Sequence, residues 1–172
     1  CILFDDIPKP TPVDAIAPYV LEELKSGGIK DEQIRFICAP GTHRYLTHRE
    51  FIGKLGKEVV EKYPVYHHNI WENLVDVGTT SRGTPVRVNR EFASCDLRVA
   101  IGSFFPHGSA GFGGGGKIIL PGVSGIDTVE HHHKNMKGST DYQHLDENEF
   151  RLDLEEAARL ARSKKSRLTT AQ

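Results

Sequence analysis

No apolar run among the 172 residues approaches the length of a membrane-spanning helix, so a soluble chain is expected. Charge of one sign is missing as well: 22 Lys and Arg stand against 23 Asp and Glu, a formal net charge of −1. That balance excludes the basic field a nucleic-acid partner needs and the polybasic anchor that holds a chain to acidic lipid. Cysteine is scarce, and Cys1, Cys38 and Cys95 are odd in number and widely spaced. Neither a disulfide framework nor a zinc cluster is expected, and a reducing cytoplasm is the default compartment. No signal peptide is visible, and no internal repeat appears. The chain enters the strand-like Ile2-Leu3-Phe4 directly from Cys1, without a polar lead-in, which reads as a fragment of something longer.

Glycine, by contrast, is concentrated in one stretch. Between Gly102 and Gly122 a near-continuous glycine run ends on Lys117 and passes into Ile118-Ile119-Leu120. Backbone there can take conformations closed to other residues and let a ligand approach closely. The lysine sits between a binding loop and a core segment, where amines become less basic and more nucleophilic. Gly111 to Lys117 satisfies G-x-x-x-x-G-K, but Ile118 stands where a nucleotide-phosphate loop needs Ser or Thr for magnesium. A P-loop-type nucleotide binder is therefore the weakest reading, below a mobile surface loop.

Around this loop, strand and helix signals alternate. Ile2 to Phe4 reads as a buried strand delivering Asp5 and Asp6 at its C-terminal end, where open α/β sheets carry their sites. Thr11 and Pro12 read as the N-cap and first position of a helix whose apolar face is Val13, Ile16, Ala17, Val20, Leu21 and Leu24. Pro18 should kink or delay it, and Gly27-Gly28 should end it. Ile34 to Cys38 is a second strand, leading to Gly41-Thr42-His43-Arg44. Thr47 to Glu50 forms a capping box for a helix carrying Phe51, Ile52, Leu55, Val59 and Val60. Val65 to His68 suggests a third strand, segments 75–78 and 85–88 a hairpin, and Leu97, Val99 and Ile101 a further strand. Ser124-Gly125 is expected to cap a helix that places Ile126, Val129, His133 and Met136 on one inward face. Segment 137–149 reads as a loop, and Leu152 to Leu160 as a last helix. The pattern predicts an α/β fold: a mainly parallel sheet with helices on both faces, Rossmann-like, with one β-hairpin. Residues 1–162 would form the domain and 163–172 a frayed tail.

Nine histidines are many for this length. His43 stands at a strand end, His107 at the mouth of the glycine loop, and His133 on the inward helix face, where a core histidine and a ligand are equally compatible with the spacing. His48, His67, His68 and His144 read as surface or structural residues. Adjacent residues on a helix point about 100° apart, so His131-His132-His133 cannot jointly clasp a zinc ion.

Taken together, Asp6, Gly-Thr-His-Arg, the run from His107 to Lys117, Leu120-Pro121-Gly122 and His133 resemble the nickel-dependent lactate racemase family across nearly the whole chain. The resemblance implies an N-terminal, cofactor-carrying domain, with a C-terminal domain that closes over the cofactor absent here. It implies a nickel pincer nucleotide, pyridinium-3,5-bisthiocarboxylic acid mononucleotide, tethered to Lys117 with nickel bound by His133. His43 and His107 would flank a small-molecule 2-hydroxy acid as proton donors and acceptors, and Asp6 and Lys9 would help bind cofactor and substrate. Lys9 stands where the family commonly has arginine, and Pro8 where it has threonine. A lysine is a point charge where arginine is a planar fork, so a best substrate other than lactate is expected. Plain deprotonation of a 2-hydroxy acid has a high barrier; hydride transfer through a transient keto acid avoids the carbanion. An imidazole ordinarily titrating near 6.5 on each side of the substrate could then serve either enantiomer. The implied activity is that of a 2-hydroxy acid racemase or epimerase, with cofactor biosynthesis proteins as partners and inactivity expected of this segment alone. The exposed face left for the missing domain favours self-association into a homo-oligomer. The alternative is a catalytically idle nucleotide-binding domain on the same scaffold.

Overall fold

The sheet is parallel and its strand order reverses beside the first strand, which decides where the functional groups gather. The computed structural model describes residues 1–141 and 144–163. Strand β1 (Ile2–Asp5) is followed by helix α1 (Val13–Ser26) and strand β2 (Phe36–Ala39), then by helices α2 (His48–Leu55) and α3 (Lys57–Lys62) and strand β3 (Val65–His67). The antiparallel pair β4 (Leu74–Thr79) and β5 (Pro85–Asn89) comes next, then helix α4 (Arg90–Ser94) and strand β6 (Val99–Ile101). A two-residue pair, β7 (Pro106–His107) and β8 (Gly111–Phe112), leads to a 3-10 turn at Gly115–Ile118 and to helices α5 (Ile126–Asn135) and α6 (Glu149–Ser163).

The main sheet has the order β3-β2-β1-β6, all neighbours parallel. From β1 the chain steps to β2 on one side, and it returns to β6 on the other. The C-terminal ends of β1 and β6 therefore flank the switch point at which open α/β sheets bind ligands. Alternation within β1 splits its side chains between two cores. Ile2 and Phe4 pack with Val13, Ala17, Phe36 and Leu55 under the first three helices. Leu3 packs with Val86, Val88, Phe92, Leu120 and Leu154 under the β4–β5 hairpin and the later helices. Phe4, Phe36 and Phe92 are fully buried, and each such side chain contributes on the order of 2–3 kcal/mol.

The α/β class, the parallel sheet and the 74–89 hairpin match the sequence expectation; several local readings differ. Thr11 does not cap α1. Its hydroxyl donates to the Asp5 carboxylate instead, and Pro12 precedes the helix without a side-chain cap. Pro18 neither ends nor delays α1, because burial of Val13, Ala17 and Leu21 outweighs the one N–H it withholds. The helix expected from Phe51 to Val60 is two helices, broken at Gly56, whose φ of 84° is left-handed. The Thr47–Glu50 capping box does form at the start of α2. Ser124 is no cap either: its hydroxyl donates to Ile119 O, and Gly125 precedes α5. The inward face of α5 is Thr128, Val129 and His132, not the Ile126–His133 stripe. Helix α4, capped by the Asn89 side chain, and the β7–β8 pair have no counterpart in the sequence reading. The frayed tail falls, beyond Ser163, outside the described residues.

Candidate functional site

Six residues from five different places in the chain meet in one cleft at the β1–β6 switch point. Asp6, Lys9, His43, His107, Lys117 and His133 all line it, across a volume of about 790 Å³ that includes its open mouth. The first loop after β1 supplies Asp6 and Lys9, a turn closed by the bond from Lys9 N to Asp6 O at 3.1 Å. The loop after β2 supplies His43, β7 supplies His107, the 3-10 turn supplies Lys117, and α5 supplies His133.

Asp6 is 2% exposed, and its Oδ2 accepts from His43 Nδ1 at 2.5 Å. That bond takes up Nδ1 of His43, so Nε2 is the ring nitrogen left for a ligand. On the other wall, His107 Nδ1 accepts from Ser109 N and Ala110 N, and His107 Nε2 lies 3.0 Å from Lys117 Nζ. Burial first, then the neighbouring charges of Lys117 and Lys9, push the His107 pKa down to about 4. The ordinary imidazole expected there is therefore not what the structure shows: it is a desolvated ring beside cations. Burial also lowers Lys117, to about 8, with Lys9 and Arg151 acting in the same direction. The lysine is as the loop-to-core position predicts. Lys9 Nζ sits 4.7 Å above the centre of the Phe105 ring.

His133 occupies the rim rather than the core. Its Nδ1 donates to Val129 O at 2.8 Å, and the ring meets Phe150 edge-on, with centroids 5.0 Å apart. The buried member of the triplet is His132, which donates to Phe150 O, while His131 Nδ1 pairs with Thr84 Oγ1. His132 and His133 thus share the Phe150 ring, while His131 turns to Thr84 of the segment before β5. Among the described residues no group of three or more His, Cys, Asp or Glu side chains is placed to hold a metal ion.

The glycines shape the floor of the cleft. A Cβ on Gly113 would lie 2.5 Å from the Phe105 ring, and one on Gly114, whose φ is 84°, would lie 2.8 Å from Ser103 O. Lys117 lies within the 3-10 turn Gly115–Ile118 and not at the start of an α-helix, so the helix N-terminus on which a nucleotide-phosphate loop depends is absent there.

Three features were not read from sequence. Lys54, 6% exposed, donates to Lys9 O at 3.0 Å and Thr11 O at 3.1 Å and pairs with Asp5 Oδ1 at 3.0 Å. It thereby ties α2 to the loop that carries Asp6 and Lys9. Its signal was a lysine three residues from Phe51 and next to Leu55, on the buried side of an amphipathic helix. Ser103 Oγ lines the cleft, buried and without a hydrogen-bond partner. Arg151, 5% exposed, stacks 3.5 Å over the Phe112 ring and donates to Phe112 O, holding the glycine loop against α6.

The sequence model described as the lactate racemase N-terminal domain matches residues 1–144. Lactate racemases of Lactiplantibacillus plantarum and Thermoanaerobacterium thermosaccharolyticum are each 32% identical over 134 residues, which is 77% of this chain and 31% of theirs. The chain thus spans less than a third of the length of these curated relatives. The structure of the lactate racemase apoprotein from T. thermosaccharolyticum superposes with a TM-score of 0.84 and 28% identity, over 94% of this chain and 40% of that one. A Thermotoga maritima protein of known structure shares the fold with a TM-score of 0.73 at 24% identity, over 92% of this chain and 42% of its own.

Proposed function

Because the chain belongs to the lactate racemase N-terminal domain family, we propose that it is the cofactor-carrying part of a 2-hydroxy acid racemase or epimerase that works with a nickel pincer nucleotide. The observation that carries this reading is the convergence of Asp6, Lys9, His43, His107, Lys117 and His133 on one cleft from positions spread over residues 6 to 133.

The cleft suits such a group on its own chemistry. Lys117 is an amine of lowered basicity, fit to form a covalent bond to an acyl carbon. The Nδ1–H of His133 is committed to Val129 O, which leaves its Nε2 lone pair free as a metal ligand. With no cluster of three protein ligands among the described residues, His133 would be a single protein ligand and the remaining donors would belong to the cofactor. Ser103 Oγ is a buried hydroxyl in want of a polar partner, and the floor of Gly113 and Gly114 lets a flat ligand lie close. When bound, the cofactor supplies a hydride acceptor, so that the substrate carbon passes through a planar keto acid.

The chain's own residues would then do the binding and proton work. His43 Nε2, the ring nitrogen that the bond to Asp6 leaves free, takes the hydroxyl proton on one side of the substrate, and His107 serves the other side. Lys9, at the cleft edge, draws in the carboxylate. As a point charge it orients the carboxylate less strictly than an arginine fork, which favours a substrate other than lactate. Residues of the remainder of the protein would close the cleft against water, so this segment alone is expected to be inactive.

The test is to make the complete protein with cofactor biosynthesis proteins, locate any adduct by peptide mass spectrometry, and screen 2-hydroxy acids for racemisation. An adduct on Lys117 that is lost in Lys117→Ala, nickel that is depleted in His133→Ala, and best turnover of an acid other than lactate are expected. An unmodified Lys117 with no interconversion of any 2-hydroxy acid would overturn the reading in favour of the idle binding domain.

A further inference from the structure

Lys9 is anchored at both ends, and what holds its head group is an aromatic ring. Its backbone is fixed from two sides: Lys9 N donates to Asp6 O at 3.1 Å, and Lys9 O accepts from the buried Lys54 Nζ at 3.0 Å. A four-carbon stem is left, and the two carboxylates nearest in the chain do not hold its charge. Asp5 is taken by Lys54 and Thr11, and Asp6 by His43. Among the described residues no carboxylate forms an ion pair with Lys9. The ammonium lies instead over the face of Phe105, 4.7 Å from the ring centre. That is within the roughly 6 Å at which the negative face of an aromatic ring attracts a cation.

The ring in turn is held by the glycine loop. Phe105 O accepts from Gly113 N at 2.6 Å, and Gly113 lies so close under the ring that a Cβ there would come within 2.5 Å of it. Lys9 and Phe105 both line the cleft, so their contact joins the first loop to the segment that leads into the glycine loop. The charge is felt on the other wall, where Lys9 is among the groups that lower the basicity of His107 and Lys117. A carboxylate partner would cancel that charge and occupy its N–H donors. A ring face does neither, so the donors turned away from the ring stay available to an anion in the cleft.

We propose that Phe105 is a positioning residue: it seats Lys9 without neutralising it, and so sets the place at which the carboxylate of a 2-hydroxy acid is received. The inference rests on the racemase reading for its substrate and goes beyond it in giving the ring this role. It separates two properties of the lysine. A point charge does not fix how a carboxylate is turned about it, but a seated point charge fixes where the carboxylate lies. The ring thereby replaces part of what the planar fork of an arginine would supply.

The test weakens the face of the ring without changing its shape. In the complete, loaded protein Phe105 is replaced by phenylalanines carrying one, two and three ring fluorines, which withdraw charge from the face stepwise while the packing against Gly113 stays. L-lactate is the probe. KM should rise with each fluorine, to on the order of fivefold to tenfold with three, and the loss should fall on KM and not on kcat, because a carboxylate held alike in ground and transition states shows in KM. In a Lys9→Met background the same series should leave KM flat, since no cation remains over the ring. NMR of the unloaded complete protein gives a readout that needs no cofactor. The Lys9 ε-methylene protons should lie upfield of those of an exposed lysine such as Lys134, and should return to the common position in Phe105→Leu. A KM that ignores fluorination in an active protein, a series that runs equally in Lys9→Met, or Lys9 protons at the exposed-lysine position would each overturn the proposal and leave the racemase reading standing. A wild-type protein that racemises no 2-hydroxy acid would strike the racemase reading, and the substrate role of Lys9 with it, even where the NMR shift puts the cation over the ring.

Discussion

Replacing Lys54 with methionine should destabilise the protein more than any surface charge could, and should loosen the site without touching it. The lysine stem is buried in α2, and methionine fills nearly the same space, so the packing term is small. What is lost is the ammonium, 6% exposed, and its three partners: Asp5 Oδ1, Lys9 O and Thr11 O, each within 3.1 Å. Two carbonyls lose a donor, and the Asp5 carboxylate, 9% exposed, keeps only the Thr11 hydroxyl. Breaking a buried pair from one side costs about 3–5 kcal/mol, because the surviving charge stays buried. For a domain of this size that is a drop of about 10 °C in Tm. Urea unfolding followed by far-UV circular dichroism measures it, and a double-mutant cycle isolates the cause. In an Asp5→Asn background the stranded charge is gone, so Lys54→Met should cost about 2 kcal/mol less. A loss below about 0.5 kcal/mol, or an equal loss in both backgrounds, would refute the argument that this ion pair anchors the first loop.

Three further outcomes are expected. In the complete, loaded protein His43→Ala should lower racemisation on the order of a hundredfold and Asp6→Asn about tenfold with the cofactor retained, the usual range for a proton-transfer group and for the residue that orients it; wild-type rates in either variant would make that residue structural. Gly122→Ala should abolish folding or cost at least about 3 kcal/mol, because its Cβ would lie 2.1 Å from Ile118 O, whereas Gly53→Ala, in α2 with nothing within 4 Å, should stabilise by about 0.5–1 kcal/mol; thermal melts of the two variants decide. His68 and His132 are fully buried and burial lowers each pKa to about 4. The unfolded chain then binds protons that the folded one does not, so stability is present above about pH 6.5 and falls as pH drops toward 4, by on the order of 2–3 kcal/mol per ring; urea midpoints that stay flat between pH 7 and 4.5 would contradict this.

Reading the site from sequence succeeded where a residue's place along the chain already implied its surroundings. Lys117 follows a glycine run and precedes a core segment, so both its reach and its lowered basicity followed from position. His133 shows the opposite case. Helical spacing put it on the inward face, but the hairpin and α6 cover a stripe rotated by one residue, so His132 is buried and His133 stands at the rim. Thr11 and Ser124 were read as caps because hydroxyls before helices usually are; in the folded chain Asp5 and the Ile119 carbonyl compete for them and win. Gly56 shows the limit of periodicity, since the apolar spacing runs on from Leu55 to Val59 while the backbone between them turns left-handed.

The sequence by itself determined the α/β alternation, the strands that deliver Asp6 and His43, and the residue types that gather at the strand ends. These follow from hydrophobic period, turn residues and short-range spacing, which act within a few residues. Only the tertiary structure decided that Asp6 grips His43, that Lys54 anchors the first loop, and that Lys117 Nζ comes within 3.0 Å of His107 Nε2. The first two of those pairings join atoms that are near because β1 lies beside β2. Protonation is a property of such neighbours: a histidine and a lysine ten residues apart carry no mark in sequence of which one will hold the proton.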